Sequence, residues 1–177
     1  MKSLKFFAVF LLAMLHLFAQ KKVKASKEEW RLYNLINEYR KSNGLEVIPF
    51  SSALTYVAQK HCQDMAYKLK TLTHGWSDCP YESSDSKTYP CMWLKPQKLT
   101  TYKGYGYECA HGGSGGYVAT AESSLMGWKG SKPHNAVITN QGVWKDFKWK
   151  AIGVAILEGY ACIWFGDEID SEGPPQE

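Results

Sequence analysis

The sequence predicts a single α+β domain, with helices over much of the chain and a pair of strands near its end. Apolar residues recur at helical spacing in three segments before residue 131. Two short apolar runs, residues 151–156 and 160–165, are joined by a tight link and predict an antiparallel hairpin. A chain of 177 residues, 45% hydrophobic and without internal repeats, suffices for one core.

The first 25 residues predict a secretory signal peptide. The basic start MKSLK precedes the apolar run FFAVFLLAMLHLFA, which is too short to span a bilayer. An uncleaved membrane anchor is the alternative to a signal peptide. Cleavage after Ala19 or after Ala25 fits the preference for a small residue at the cut. We therefore expect a secreted or periplasmic protein without a stable transmembrane anchor.

Most of the positive charge belongs to this leader. The formal net charge is +4, and removal of the five lysines before residue 26 takes it to −1. No basic stripe remains in the mature chain, so nucleic acid is a poor candidate partner.

The first two helices carry start and stop signals. Ser26 and Glu29 have the capping-box spacing, and Asn43-Gly44 ends the first helix. Ser51 or Ser52 caps the second helix, which extends to about Lys70. Its apolar face consists of Leu54, Val57, Ala58, Cys62, Met65 and Ala66.

The rest of the chain is less regular. Residues 71–107 give no confident element. A third helix is predicted from about Gly116 to Gly130, and Pro133 prevents its continuation. The folded domain is expected over residues 26–166, followed by an acidic, disordered tail over 167–177.

All five cysteines follow the leader, and export would allow them to oxidise. Cys79 and Cys91 flank a polar insert and are the expected disulfide pair. An odd number leaves at least one thiol free or paired between chains, and Cys62 is expected to be free because it lies on the apolar helix face.

Three hypotheses address the chemistry. His74, Glu108 and His134 could form an open zinc site of two imidazoles and a carboxylate. Ser131 or Cys109 could act as a nucleophile beside a histidine. Thirdly, the many aromatic residues between 76 and 117 could line a groove for a lipid, sterol or glycan. His111 forms a local E-x-x-H pair with Glu108, but the GGSGG run that follows favours a loop there.

The order of segments resembles the CAP superfamily, also called the SCP domain, over about residues 28–166. LINEYRKSNGL and SSALTYVAQKHCQDMA resemble the family's first two helices, and THGW supplies a histidine. GYECA takes the place of the G-E-N segment, and WKGSKPHNAVI resembles the bacterial W-x-x-S-P-G-H-R-x-N-I form. GVAILEGYACIWFG matches the closing strand pair.

The resemblance implies an α-β-α sandwich with a central antiparallel sheet and a cleft that binds zinc or another divalent cation in some members. His74 and His134 take the two histidine positions, and Glu108 takes one acid position. The second family acid is missing, because Ser131 stands three residues after Trp128 where eukaryotic members have glutamate. Lower metal affinity is therefore expected.

Further departures from the pattern lie beside Glu108. Cys109 replaces the usual asparagine and is expected to be a disulfide partner, with Cys162 as the candidate. Tyr107 replaces the glycine. Trp128 and Ser131 are expected to support the cleft.

The sequence therefore predicts an exported CAP-domain protein that acts through binding rather than turnover. Its ligand would be a divalent metal, a lipid, sterol or glycan, or a protein. A metal-dependent or Ser/Cys hydrolase using the same cleft is the first alternative, and a structural or host-interaction module is the second.

Overall fold

The structure, a computed structural model, describes residues 23–177. It contains a three-stranded antiparallel sheet between two helical layers, so the predicted α-β-α sandwich in a single domain is confirmed. Most of the predicted signal peptide lies outside the described residues. The elements are α1 (Lys27–Ser42), α2 (Ser52–Gln63), α3 (Pro90–Trp93), α4 (Lys95–Leu99), β1 (Gly106–Gly112), α5 (Ala121–Gly130), α6 (Lys132–Ile138), β2 (Ala151–Leu157) and β3 (Tyr160–Gly166).

The sheet has the order β1-β3-β2, with both pairs antiparallel. The predicted hairpin is present as β2 and β3, whereas the pattern alone did not predict β1. Alternate residues of β3 face opposite layers. Ile163 and Phe165 face the layer of α1, α5 and α6, and Cys162 and Trp164 face the layer of α2 and α3.

Small residues on β2 allow α2 to lie against the sheet. Ala151 and Ala155 pack in the same cluster as α2, and Gly153 lies between them on the strand. A Cβ atom at Gly153 would lie 2.1 Å from the carbonyl carbon of Leu54. The close approach fixes the distance between the helix and the strand.

Helices α1 and α2 begin as predicted. Ser26 and Glu29 form the capping box of α1. Ser51 caps α2, and its hydroxyl accepts a hydrogen bond from the Leu54 N–H at 3.0 Å. The helix continues into a π-helical turn, Asp64–Leu69, and ends at Lys70 in the left-handed region at φ 53°.

Helix α5 begins later than predicted, at Ala121 rather than near Gly116. Gly115 and Gly116 have φ values of 77° and 86°, which place them outside a right-handed helix. Thr120 then supplies the cap, because its hydroxyl accepts from the Ser123 N–H. Pro133 lies in the first turn of the separate helix α6, where its missing N–H costs little.

The C-terminal tail differs from the disordered segment that its composition suggested. Asp170 accepts hydrogen bonds from the Ser51 hydroxyl and the Ala53 N–H, at 2.7 and 2.9 Å, and so extends the cap of α2. Gln176 exchanges backbone hydrogen bonds with Val23 and Ala25. Specific contacts of this kind give an acidic tail a fixed place on the domain.

None of the helices that the structure describes is long and apolar enough to cross a membrane.

Candidate functional site

Glu108 lies at the centre of a buried hydrogen-bonded group. Strand β1 places its side chain on the α2 side of the sheet, where that side chain is fully buried. One carboxylate oxygen bonds to Nδ1 of His61, and the other lies 2.9 Å from Nδ1 of His74. Both oxygens of the carboxylate are therefore held by imidazoles.

His61 is held as an imidazolium by its two partners. Its Nδ1 faces the Glu108 carboxylate, and its Nε2 lies 2.9 Å from the carbonyl oxygen of Gly75. Both partners accept hydrogen bonds, so both ring nitrogens must donate. The ring also stacks on Trp76, with 4.4 Å between centroids.

The ionisation of this pair follows from opposing effects. Burial alone would lower the pKa of His61, but the Glu108 carboxylate and the Gly75 carbonyl raise it above its usual value. Burial alone would raise the pKa of Glu108, but His61 and His74 lower it to about 2. The result is a buried ion pair.

His74 connects this buried pair to a cleft. Its side chain is 31% exposed, and its Nδ1 is committed to Glu108. Its ring centroid lies 6.2 Å from that of His134, which is in the first turn of α6. Burial and the neighbouring His74 lower the pKa of His134, although Glu108 opposes the shift. The structure thus brings the three predicted residues together.

The cleft has a volume of about 330 Å³ and lies at the outer edge of β1. His74, Glu108 and His134 share it with a set of aromatic and apolar side chains. These are Tyr81, Tyr89, Met92, Trp93, Tyr107, Pro133, Val137 and Trp144. A polar floor beneath apolar walls is typical of ligand sites.

A second group in the core also contains metal-ligating atoms. His61, Glu108 and Cys162 each offer one such atom, and these atoms lie within 4.8 Å of one another, so the group could hold a metal ion. Burial raises the pKa of the Cys162 thiol well above its usual value. This group shares Glu108 with the cleft but lies wholly within the protein.

Sequence reasoning missed His61. It follows Val57 by four residues and Ala58 by three, which places it on the buried face of α2. A histidine on an apolar helix face must find polar partners within the core. The position of His61 on an apolar helix face was the sequence signal that could have identified it.

The two predicted supporting residues differ in their roles. Trp128 is fully buried, and its Nε1 donates to the carbonyl oxygen of Ala110 on β1 at 3.1 Å. Ser131 lies at the junction of α5 and α6, where its N–H donates to Trp128 and its carbonyl accepts from Asn135. It is absent from the residues that line the cleft.

The cysteines agree with one predicted pair and contradict the other. Cys79 and Cys91 form a disulfide, and Cys62 is free as expected. The pairing of Cys109 with Cys162 was wrong, because both are free. Cys162 lies opposite Ala110 in the sheet, so Cys109, one residue on, points to the other face.

His111 does not join the site. Strand geometry directs Glu108 and His111, three residues apart, to opposite faces of the sheet. Its Nε2 lies 2.9 Å from the hydroxyl of Tyr117.

Comparison with known proteins identifies a family. The sequence pattern of the cysteine-rich secretory protein family, CAP, matches residues 33–162. A sequence search among curated proteins finds no match.

Three solved structures have a similar fold. An extracellular protein with an SCP domain from Bacillus anthracis str. Ames shares 15% identity over 80% of this chain and 40% of its own, with a TM-score of 0.62. An outer surface protein from Borrelia burgdorferi shares 16% identity over 83% and 97%, with a TM-score of 0.59. A cysteine-rich secretory protein from Staphylococcus aureus subsp. aureus Mu50 shares 18% identity over 85% and 40%, with a TM-score of 0.55.

The present chain therefore spans about two fifths of the length of two of these proteins and nearly all of the third. At such identities the likeness shows the fold alone.

Proposed function

The chain belongs to the cysteine-rich secretory protein (CAP) family, and from that premise we propose that it is an exported binding module whose cleft takes up a divalent metal ion. Zinc best matches two imidazoles beside a carboxylate. The observation that carries the proposal is the 2.9 Å contact between Glu108 and Nδ1 of His74.

This contact prepares His74 as a ligand. The carboxylate accepts a hydrogen bond from the Nδ1–H group, which leaves the lone pair on Nε2. Metal-binding histidines in proteins commonly donate their second nitrogen to a carboxylate in this way. His134 adds a second imidazole close by, and the remaining positions on an ion would be open to water or a ligand.

The buried group of His61, Glu108 and Cys162 fits a metal less well. Both nitrogens of His61 are occupied as donors, so neither offers a lone pair. Cys162 lies in the core, where a neutral thiol is favoured over the thiolate that metals require. We therefore assign the ion to His74 and His134, with Glu108 as the residue that orients His74.

The walls of the cleft determine what else it would bind. A bound zinc ion would supply Lewis-acid attraction for a donor atom of a ligand. Tyr81, Tyr89, Trp93, Tyr107 and Trp144 would contact an apolar or ring-shaped portion of that ligand. A lipid, a sterol, a glycan and a protein side chain can each combine a donor atom with an apolar or ring-shaped portion. We therefore propose all four as candidate ligands.

The positions of the candidate nucleophiles support binding over hydrolysis. Cys109 is fully buried on the face of the sheet opposite to Glu108. Ser131 has its backbone in the junction of two helices and does not line the cleft. Neither has a base within hydrogen-bond reach among the described residues, which a nucleophile needs.

Zinc titration against a chelating dye tests the proposal. We expect one zinc ion per protein, with affinity reduced at least about 100-fold in a His74→Gln, His134→Gln double variant. Glu108→Gln should weaken binding about 10- to 100-fold, the usual effect of losing an orienting partner. Circular dichroism would establish that each variant is folded.

His111→Gln is the matched control, because His111 lies on β1 with Glu108 but outside the cleft. It should bind zinc as the wild type does. Equal binding by the double variant, or none by the wild type, would overturn the metal site and favour a structural or host-interaction module.

A further inference from the structure

A second pocket lies away from the metal cleft and is rich in positive charge. Its volume is about 540 Å³, and it is formed by the end of α1, the loop that follows it, and the segment before β2. Four of its lining residues are cations, and Glu46 is the single acid among them. The cations are Arg40, Lys145, Lys148 and Lys150.

Arg40 is an unusual component of this pocket because it is buried without an acid partner. It is 5% exposed, and no carboxylate of residues 23–177 lies within ion-pair distance of its guanidinium. Burying a charge without a counter-ion is costly, so buried arginines are normally paired. Burial also lowers the pKa of Arg40 to about 10, although Glu46 opposes the shift.

The hydrogen bonds of Arg40 leave part of its guanidinium available. Nε donates to the carbonyl of Glu46, and Nη1 donates to the carbonyl of Ile138 and the side chain of Asn140. Nη2 has no hydrogen-bond partner among residues 23–177, and it is not fully buried. Because Arg40 lines the pocket, we take Nη2 as the donor that a ligand there would meet.

The lysines add mobile positive charge at the rim. Lys145 and Lys148 are exposed and form no ion pair with the described residues. Lys150 lies 3.4 Å from Glu168, an exposed contact that contributes little to stability. Asp146 lies on the same segment but does not line the pocket. The pocket therefore keeps a net positive charge.

We infer that this pocket binds a phosphate group, carried either by a small molecule or by the head group of an anionic lipid. A phosphate offers several acceptor oxygens and up to two negative charges, which suits a fixed guanidinium surrounded by flexible ammonium groups. Val47 and Phe147, 44% and 36% exposed, also line the pocket and would contact the apolar part of the ligand.

The pocket is separate from the metal cleft. An aromatic cluster lies between them, in which Tyr107 and Trp144 line the cleft while Phe147 and Trp149 line the basic pocket. The ring of Tyr107 lies 5.5 Å from Phe147 and 5.4 Å from Trp149. Binding at the pocket can therefore be tested with the cleft histidines intact.

The test uses two probes and two double variants. The protein is titrated with inorganic pyrophosphate by calorimetry, and its sedimentation is measured with phosphatidylglycerol or phosphatidylcholine vesicles. Lys145→Gln, Lys148→Gln removes two rim charges. The control, Lys98→Gln, Lys103→Gln, removes two charges from exposed lysines outside the pocket.

We expect binding of pyrophosphate, of phosphatidylglycerol vesicles, or of both, weakened at least about tenfold in the rim variant and unchanged in the control. Added salt should weaken it further. Binding of pyrophosphate alone identifies a small-molecule ligand, and binding of the anionic vesicles alone identifies a lipid head group. No binding of either probe, or equal loss in both variants, would overturn the inference.

Discussion

At the scale of single residues, the site depends on how Glu108 divides its two oxygens. One oxygen is held by the imidazolium of His61, and the other holds Nδ1 of His74. His61 neutralises the carboxylate within the core. His74 connects the same carboxylate to the cleft. The same acid is therefore a structural partner on one side and an orienting group on the other.

A double-mutant cycle tests the buried pair. His61→Phe or Glu108→Leu alone should destabilise the domain by about 3–5 kcal/mol, because each leaves an unpaired charge or polar group in the core. The double variant should lose much less than the sum of the two, since no charge remains. Urea unfolding at neutral pH measures all four proteins.

The pair is also tested by additivity. If the double variant loses as much free energy of unfolding as the two single variants together, His61 and Glu108 do not interact, and the ion pair is refuted. Thr55→Val serves as the control. Thr55 is fully buried in the same helix as His61 but contacts neither His61 nor Glu108 through a hydrogen bond.

The stability of the domain should depend on pH through the same two residues. The pKa of Glu108 is lowered to about 2 from 4.5, so its contribution is complete above pH 4.5 and is lost as the pH falls toward 2. The pKa of His61 is raised from 6.5, so its contribution is complete below pH 6.5 and is lost as the pH rises through the raised value.

Urea unfolding in chelator across this range measures the effect. The wild type should be most stable between pH 4.5 and 6.5 with respect to this pair. The His61→Phe, Glu108→Leu variant should have a flatter profile. Identical profiles for the two proteins would show that the pair does not carry the dependence.

At the scale of elements, the two ends of the described chain are joined. The Ala25 N–H donates to the carbonyl of Gln176, and the Gln176 N–H donates to that of Val23, both at 2.8 Å. Gln59 of α2 also donates to the carbonyl of Lys24. Residues 23–25 thus fasten the C-terminal tail to the domain.

We therefore predict that the leader is cleaved after Ala19 rather than after Ala25, because cleavage after Ala25 would remove these contacts. The mass of the exported protein should correspond to a chain that begins at Gln20. Ala19→Leu should impair processing, and Ala25→Leu should leave it unchanged. A mature chain beginning at Ser26 would contradict the prediction.

The elements also show which parts of the fold the sequence could predict. Helices α1 and α2 have side-chain caps and apolar faces, which are local signals, and both lie where expected. Strand β1 lacked such a signal, because it carries the buried charge of Glu108 and ends in glycines. Its place in the sheet depends on pairing with β3, a strand that is distant in the sequence.

The site was predictable to a similar extent. His74, Glu108 and His134 were proposed from their residue types and then matched to the family pattern, although nothing in their spacing brings them together. His61 was missed because its neighbours on α2 indicate a core position. Its role depends on two acceptors, Glu108 and Gly75, that are distant in sequence.

At the scale of the whole molecule, the cleft lies where the two helical layers meet the edge of the sheet. The outer edge of β1 is covered, because Trp128 donates to the Ala110 carbonyl and the sulfur of Met92 lies 3.4 Å from the Glu108 nitrogen. Exposed strand edges invite pairing with other chains, so this cover protects the floor of the cleft. Ligands would therefore meet side chains rather than free backbone.

The sandwich also gives the molecule two separate polar surfaces. The cleft combines two imidazoles with aromatic walls, and the basic pocket beyond Tyr107 has an excess of positive charge. The central claim concerns the first of these surfaces, namely that Glu108 directs Nε2 of His74 to a metal ion.

Nitrogen NMR of the histidine side chains, with and without zinc, tests this claim most directly. We predict that metal-free His74 carries its proton on Nδ1, that His61 is protonated on both nitrogens, and that zinc shifts Nε2 of His74 and the ring of His134 while His61 stays unchanged. A His74 protonated on Nε2, or a zinc-induced shift at His61 instead of His74, would contradict the account.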